Sequence, residues 1–238
     1  MKLYWAPQTR SARALWMLEE TGLEYDLELI DIRAAERSDP TDFLEASPMG
    51  KVPALVDGEV RMCESAAICL YLADRYSPGE LAPAIDDPRR GKFLYWLMYT
   101  PAVIEPAMSE KFNQVEPAPQ RSGWGDFDLM IKTFENGIRG REWILGDQFT
   151  AADVVLGSGL GWAVMFTKSV PDRPEFKAYL EELKDKQVGF VRKKQNDEVA
   201  VDVALRRTGR RVTGACPRVG VQIRVAPGPC RSVAVIVT

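Results

Sequence analysis

The sequence predicts an α/β unit followed by an all-α unit. Two observations carry that prediction. Strand and helix signals alternate over about the first 76 residues, and strand signals then vanish while a helical apolar period continues to about residue 186. A third agrees with them: Ser77–Asp87, rich in Pro, Gly and acid, reads as a linker. The expected organisation is a 1–76 domain, a 77–87 linker, an 88–204 helical domain and a 205–238 basic irregular tail.

Each element has a local reason. KLYW at 2–5 reads as a short strand, and a loop from Ala6 to Arg10 follows it. Ser11–Thr21 reads as a helix with Ala14, Leu15, Met17 and Leu18 on its apolar face, ended by Gly22. LEYDLELI at 23–30 alternates apolar and polar, the pattern of a half-buried strand. Pro40–Ala46 is at best a short helix. PALVD and EVRM read as a hairpin turning at Asp57-Gly58, and Glu64–Arg75 as a helix. The order β-α-β-α-β-β-α combines a parallel crossover with an antiparallel hairpin, which is the thioredoxin-like arrangement.

Beyond the linker, Gly91–Phe112 reads as a long helix that Pro101 and Pro106 should kink. Phe127–Leu145 and Pro174–Lys186 are further helices. Thr150–Phe166 is apolar nearly all round and should be the buried centre. Its start, Phe149-Thr150-Ala151-Ala152-Asp153, reads as a cap: Thr150 at the N-cap, Asp153 reaching back, Phe149 packing on Val154. That is a folding device.

The tail from Leu205 changes character. The first 204 residues hold 24 basic and 34 acidic side chains, a net −10; the tail holds seven arginines and no acid, leaving −3 for the 238-residue chain. Two readings stand: a basic arm that contacts anions or a partner, or an appended segment without selected function. The abrupt end of the helical pattern favours the second.

Composition excludes several chemistries. The chain has no histidine, so a Ser-His-Asp triad, a Cys-His pair and a histidine-ligated zinc are all ruled out. Cys63, Cys69, Cys216 and Cys230 form no C-x-x-C pair, and Cys63 and Cys69 read as buried, inert thiols. No metal is expected. No basic excess points to nucleic acid, no apolar run approaches a membrane span, and the N-terminus has no signal-peptide pattern. The expected address is the cytoplasm.

Three segments carry candidate chemistry. Ser47-Pro48-Met49-Gly50-Lys51-Val52-Pro53 opens a strand with a proline after a glycine loop. A cis Val52–Pro53 bond there would turn the Val52 backbone groups outward towards a peptide-like ligand; an ordinary trans proline at an edge strand is the plainer reading. Glu64-Ser65 opens a helix, where N–H groups, the macrodipole and the Ser65 hydroxyl attract a carboxylate while Glu64 suits an ammonium. The plainer reading is an N-capped helix. Pro7–Trp16 is a strand-to-helix junction whose hydroxyls, Thr9 and Ser11, face the ligand end of an α/β sheet or else cap the helix. A hydroxyl there, with a helix N-terminus, would lower a thiol pKa from about 8.5 towards neutrality.

Together the runs TRSARALWMLEETGLEY, SPMGKVPAL and ESAAICLYLADRY, with the later FTAADV, resemble the glutathione S-transferase family from about Lys2 to about Asp197. The tail lies outside the pattern. The resemblance implies a thioredoxin-like domain followed by an all-helical one. Val52 before cis Pro53 would pair with the cysteinyl backbone of glutathione. Glu64 and Ser65 would hold its γ-glutamyl head, and Lys51 would lie near its glycyl carboxylate. Thr9 falls where serine-type members carry the thiolate-facing hydroxyl. Threonine departs from the usual Ser, Tyr or Cys, and its extra methyl restricts the rotamer. Ser11 is the alternative activator, and Arg10 a source of charge.

The activity so implied is detoxifying transfer of glutathione, as co-substrate, to a small hydrophobic electrophile by a homodimer. The electrophile pocket would lie between the domains. Trp96, Tyr99 and Met108 are candidate lining residues, although core packing suits each. Two other readings remain: a non-catalytic glutathione-binding or regulatory module, and a glutathione-dependent reductase or isomerase. The lack of a cysteine at 6–11 argues against a mixed-disulfide mechanism there.

Overall fold

The computed structural model describes residues 1–164, 170–171, 173–184 and 186, and the backbone of 221–225 and 233–237. Cys216, Cys230 and residues 165–166 lie outside the described residues. The chain divides into two compact units, Met1–Ile68 with Val188–Thr238, and Cys69–Gln187.

The first unit is built on a sheet. Its elements are β1 (Lys2–Trp5), α1 (Ser11–Thr21), β2 (Asp26–Leu29), α2 (Thr41–Ala46), β3 (Ala54–Asp57), β4 (Val60–Cys63) and the start of α3 (Ser65–Tyr76). β1 pairs parallel with β2 and antiparallel with β3, which pairs antiparallel with β4. Leu3 stands opposite Leu55, and Tyr4 opposite Ala54. Because side chains alternate along a strand, these two rows serve opposite faces. Tyr4, Ile30, Phe43, Ala46 and Ala54 form one core cluster, in which the Tyr4 and Phe43 rings lie 5.4 Å apart. Gly22 ends α1 at φ 66°, a left-handed value that glycine adopts without penalty.

β2 is shorter than the eight-residue alternation suggests. Its ladder with β1 begins at Asp26, opposite Lys2. The alternation of 23–25 therefore has no partner to make it a strand.

The tail differs more. Two strands, β5 (Val221–Val225) and β6 (Val233–Val237), lie in the segment read as irregular, and β6 pairs antiparallel with β2. The sheet order is β4-β3-β1-β2-β6-β5. Both strands are rich in β-branched residues, and Val221-Gln222-Ile223-Arg224-Val225 alternates with the strand period. A reading tuned to helical period passes over that signal.

The second unit is helical. It contains α4 (Arg90–Tyr99), a π-helical turn (Thr100–Ile104), α5 (Glu105–Phe112), α6 (Phe127–Ile138), α7 (Ala151–Trp162) and α8 (174–184). Pro101 lies within the π-helical turn that interrupts the helix, and Pro106 in the first turn of α5 that follows it. α6 stops at Ile138, short of the Leu145 expected, because Arg139 leaves helical geometry at ψ 122° and Gly140 follows at φ 67°. Trp96, Tyr99, Phe134, Phe176 and Tyr179 form a buried aromatic cluster, and Met108 is also buried. Trp96 and Tyr99 are thus core residues of this unit. The Tyr99 hydroxyl donates to the Met130 carbonyl at 3.1 Å, and burial pushes its phenol up to about 12. Gly137 lies against the Trp96 ring so closely that a Cβ would fall 2.4 Å from it.

Ser77–Asp87 is not a free linker. Leu81, Ala82 and Pro83 are buried. The Leu81 carbonyl accepts from Ala151 N–H at 2.8 Å, and Gln148 donates to the carbonyls of Gly79 and Glu80. The division between units falls inside α3, at Ile68/Cys69, so apolar burial overrides the Pro/Gly composition. Among the described residues, no helix is long and apolar enough to cross a membrane.

Candidate functional site

Topology assembles the site. β1, β2 and β4 run in one direction and β3 in the other, so the ends of β1, β2 and β4 and the start of β3 lie at one end of the sheet. The register places Tyr4, Ala54 and Cys63 in line across three strands. The loop of Ala6–Arg10, the Lys51-Val52-Pro53 approach to β3 and Glu64-Ser65 therefore share that edge. Arg33, from the loop after β2, donates to the Gln8 side chain at 3.2 Å, so a fourth loop joins them.

Each predicted residue has a definite place. The Val52–Pro53 peptide bond is cis; Val52 is half-buried and Pro53 buried. Lys51 is exposed, and its N–H donates to Ser47 Oγ at 3.0 Å. Glu64 is exposed and has φ 72°, a left-handed value costly for a residue with a Cβ. Its carbonyl accepts from Ile68 N–H at 2.9 Å, which makes Ser65 the first residue of α3. Ser65 is 5% exposed.

The two hydroxyls of the first loop are unequal. Ser11 is fully buried, whereas Thr9 is partly exposed. Thr9 Oγ1 lies 2.7 Å from the Ala6 carbonyl and 2.9 Å from Ser11 Oγ, and it accepts Ser11 N–H at 3.1 Å. Ser11 Oγ accepts Ala6 N–H at 3.4 Å. A threonine hydroxyl has one proton, and the carbonyl has none to offer. Thr9 therefore donates to Ala6, and Ser11 donates to Thr9. Burial withdraws Ser11 from contact with a ligand.

Sequence reasoning gave Arg13 no role. It lies two residues past Ser11 on α1, is only 5% exposed, and donates through Nη1 to Ser65 Oγ at 3.2 Å. An arginine inside an otherwise apolar run, AR-ALWML, is the signal that could have found it. Cys63 is half-buried and Cys69 buried. Among the described residues, no cluster of His, Cys, Asp or Glu has the makings of a metal site.

The edge thus offers a half-buried Val52 before cis Pro53, a hydroxyl at a helix start, an acid beside it and a second, partly exposed hydroxyl. Such a set suits a small peptide with an amino-acid head and a polarisable nucleophile.

Comparison with known proteins agrees. Residues 1–74 match the model of the glutathione S-transferase N-terminal domain, and residues 98–186 that of the C-terminal domain. Glutathione S-transferase 3 of Zea mays is 31% identical over 166 residues, covering 64% of this chain and 73% of that protein. Glutathione S-transferase GstA of Escherichia coli O157:H7 is 24% identical, covering 78% and 94%. A sphingomonad glutathione S-transferase solved in complex with glutathione superposes with a TM-score of 0.62 at 27% identity, over 77% of this chain and 92% of that one.

Proposed function

The chain belongs to the glutathione S-transferase family and is a transferase, and we propose that it joins the glutathione thiolate to small hydrophobic electrophiles. The observation that carries this reading is the convergence of Val52–Pro53, Glu64-Ser65 and Thr9 on one sheet edge. Val52 would pair with the cysteinyl backbone, Ser65 and Glu64 with the γ-glutamyl carboxylate and ammonium, and Lys51 with the glycyl carboxylate. Thr9 would donate to the thiolate once its proton leaves the Ala6 carbonyl. Sulfur then attacks the electrophilic carbon; with an aryl halide the S–C bond forms, the C–halogen bond breaks and halide leaves. Proximity and nucleophile activation supply the rate. The family habit of pairing supports a homodimer, and a detoxifying role in the cytoplasm suits this chemistry.

A second reading is a glutathione-binding module without turnover. The 2.7 Å bond from Thr9 to Ala6 favours it, because that proton is already engaged. Two measurements separate the readings. A thermal melt with millimolar glutathione should show stabilisation of about 2.7 kcal/mol at 100 times the dissociation constant, weakened in Ser65→Ala. Turnover of an aryl halide should fall roughly ten- to a hundredfold in Thr9→Ala, the loss expected for one hydrogen bond to a charged group. Stabilisation without turnover supports the module; no stabilisation overturns both.

A further inference from the structure

We propose that Arg37, held by Asp39, is a positioning residue: it fixes the Gly50–Lys51 peptide plane and so aims the Lys51 ammonium at the glycyl carboxylate of glutathione. This rests on the reading of Lys51 as the partner of that carboxylate.

One peptide unit is pinned at both ends. Arg37 Nη1 donates to the Gly50 carbonyl at 3.2 Å, and the Lys51 N–H of the same unit donates to Ser47 Oγ at 3.0 Å. Ser47 is buried, and its own N–H donates to the Phe43 carbonyl at 2.7 Å, so the inner pin hangs from α2. The outer pin comes from the segment between β2 and α2. Gly50 has φ 61°, and a glycine meets little steric resistance to rotation about its own bonds. Hydrogen bonds, rather than a Cβ, therefore set the direction in which the chain enters Lys51.

The guanidinium is itself aimed. Its Nε and Nη2 face the two oxygens of Asp39 at 3.1 and 2.8 Å, a bidentate fork. It also lies over the buried Phe43 ring at 5.9 Å. A guanidinium is planar, so holding one edge fixes the line along which Nη1 donates. The Asp39 charge offsets that of Arg37, which suits Arg37 to holding the loop and leaves the exposed Lys51 as the cation for the ligand.

Two other roles predict different results. A clasp that only braces the loop would weaken all ligands alike. An Arg37 that attracts the carboxylate by its own charge would act without Lys51, and loss of the Asp39 charge would help it. The test uses two probes on the full chain: glutathione, and glutathione amide, in which a carboxamide replaces the glycyl carboxylate. Calorimetric titration of wild type, Arg37→Met, Asp39→Asn, Lys51→Ala and the Arg37→Met/Lys51→Ala double variant reads the affinities.

Arg37→Met is expected to lose roughly three- to tenfold in glutathione affinity, the worth of one hydrogen bond, while binding the amide like wild type. Asp39→Asn, which keeps the arginine and loosens the fork, should show the same pattern. The double variant should lose no more than Lys51→Ala alone. Should Arg37→Met fail to fold, Asp39→Asn carries the same two-probe comparison. Equal losses for both probes, additive losses in the double variant, or glutathione bound by Asp39→Asn as tightly as by wild type overturns the proposal alone. Wild-type affinity in Lys51→Ala overturns the Lys51 assignment and the proposal with it. Failure of wild type to bind glutathione overturns the functional reading as a whole.

Discussion

Thr9 and Ser11 stand two residues apart and have the same functional group, yet burial gives them different tasks. Ser11 is the inner member: it takes Ala6 N–H and holds Thr9 Oγ1, so it shapes the loop that presents Thr9. Ser11→Ala leaves a buried backbone N–H unpaired, which costs about 1–3 kcal/mol. A lower midpoint of urea unfolding, together with slower aryl-halide turnover, is the expected result. An unchanged midpoint would mean that water or a small shift of the loop replaces the hydroxyl. The two candidate activators were legible in the sequence as hydroxyls at a strand-to-helix junction. Which of them is exposed was not, because exposure depends on how the loop packs under its neighbours. Arg13 was hidden for a related reason: its partner lies 52 residues away.

At the scale of the element, α7 shows how a local pattern serves distant ones. Its capping box is present, with Thr150 N–H and Oγ1 both donating to Asp153 Oδ2. Asp153 Oδ1 also takes Ile144 N–H and the Tyr179 hydroxyl, each at 2.8 Å. Burial raises the Asp153 carboxyl, and the bonds from Ile144, Tyr179 and Thr150 oppose that rise. Four donors on two oxygens suit the carboxylate and leave little room for a carboxyl proton. Asp153→Ala should cost on the order of 3 kcal/mol or more, since several buried donors lose their acceptor together. Chemical unfolding of the variant checks this, and a loss below about 1 kcal/mol would show that the donors find other partners. The box itself was legible from Thr150 and Asp153 alone. The bonds to Ile144 and Tyr179 were not, because they join a turn and a helix that sequence spacing does not relate. Phe149 likewise meets the Trp143 ring at 5.0 Å, a contact that no local pattern announces.

At the scale of the whole molecule, the net −10 body and the arginine-rich tail are not independent, since β6 pairs with β2. That pairing covers an edge that would otherwise present open N–H and C=O groups. Deleting residues from Leu205 onward removes none of the proposed glutathione contacts. Glutathione affinity is therefore expected to stay within about twofold, the scatter of distant sites that act independently. The uncovered β2 edge should instead raise self-association, read by light scattering against concentration. A large loss of affinity would mean that the tail reaches the site, and unchanged association would mean that β2 is protected without it.

Periodicity, turn residues and caps are properties of neighbours along the chain, so the sequence by itself determined the order of elements as far as α8, the proline interruption near Pro101, the helix stop at Gly22 and the cap of α7. It also carried the family resemblance, through the three runs that end at one sheet edge. Tertiary structure decided what depends on burial and long-range pairing. It withdrew Ser11 into the loop, brought Arg13 to Ser65, buried Leu81–Pro83 and set β6 beside β2. The physical reason is common to all four: solvent exposure and hydrogen-bond partners are fixed by chain segments that meet only after folding.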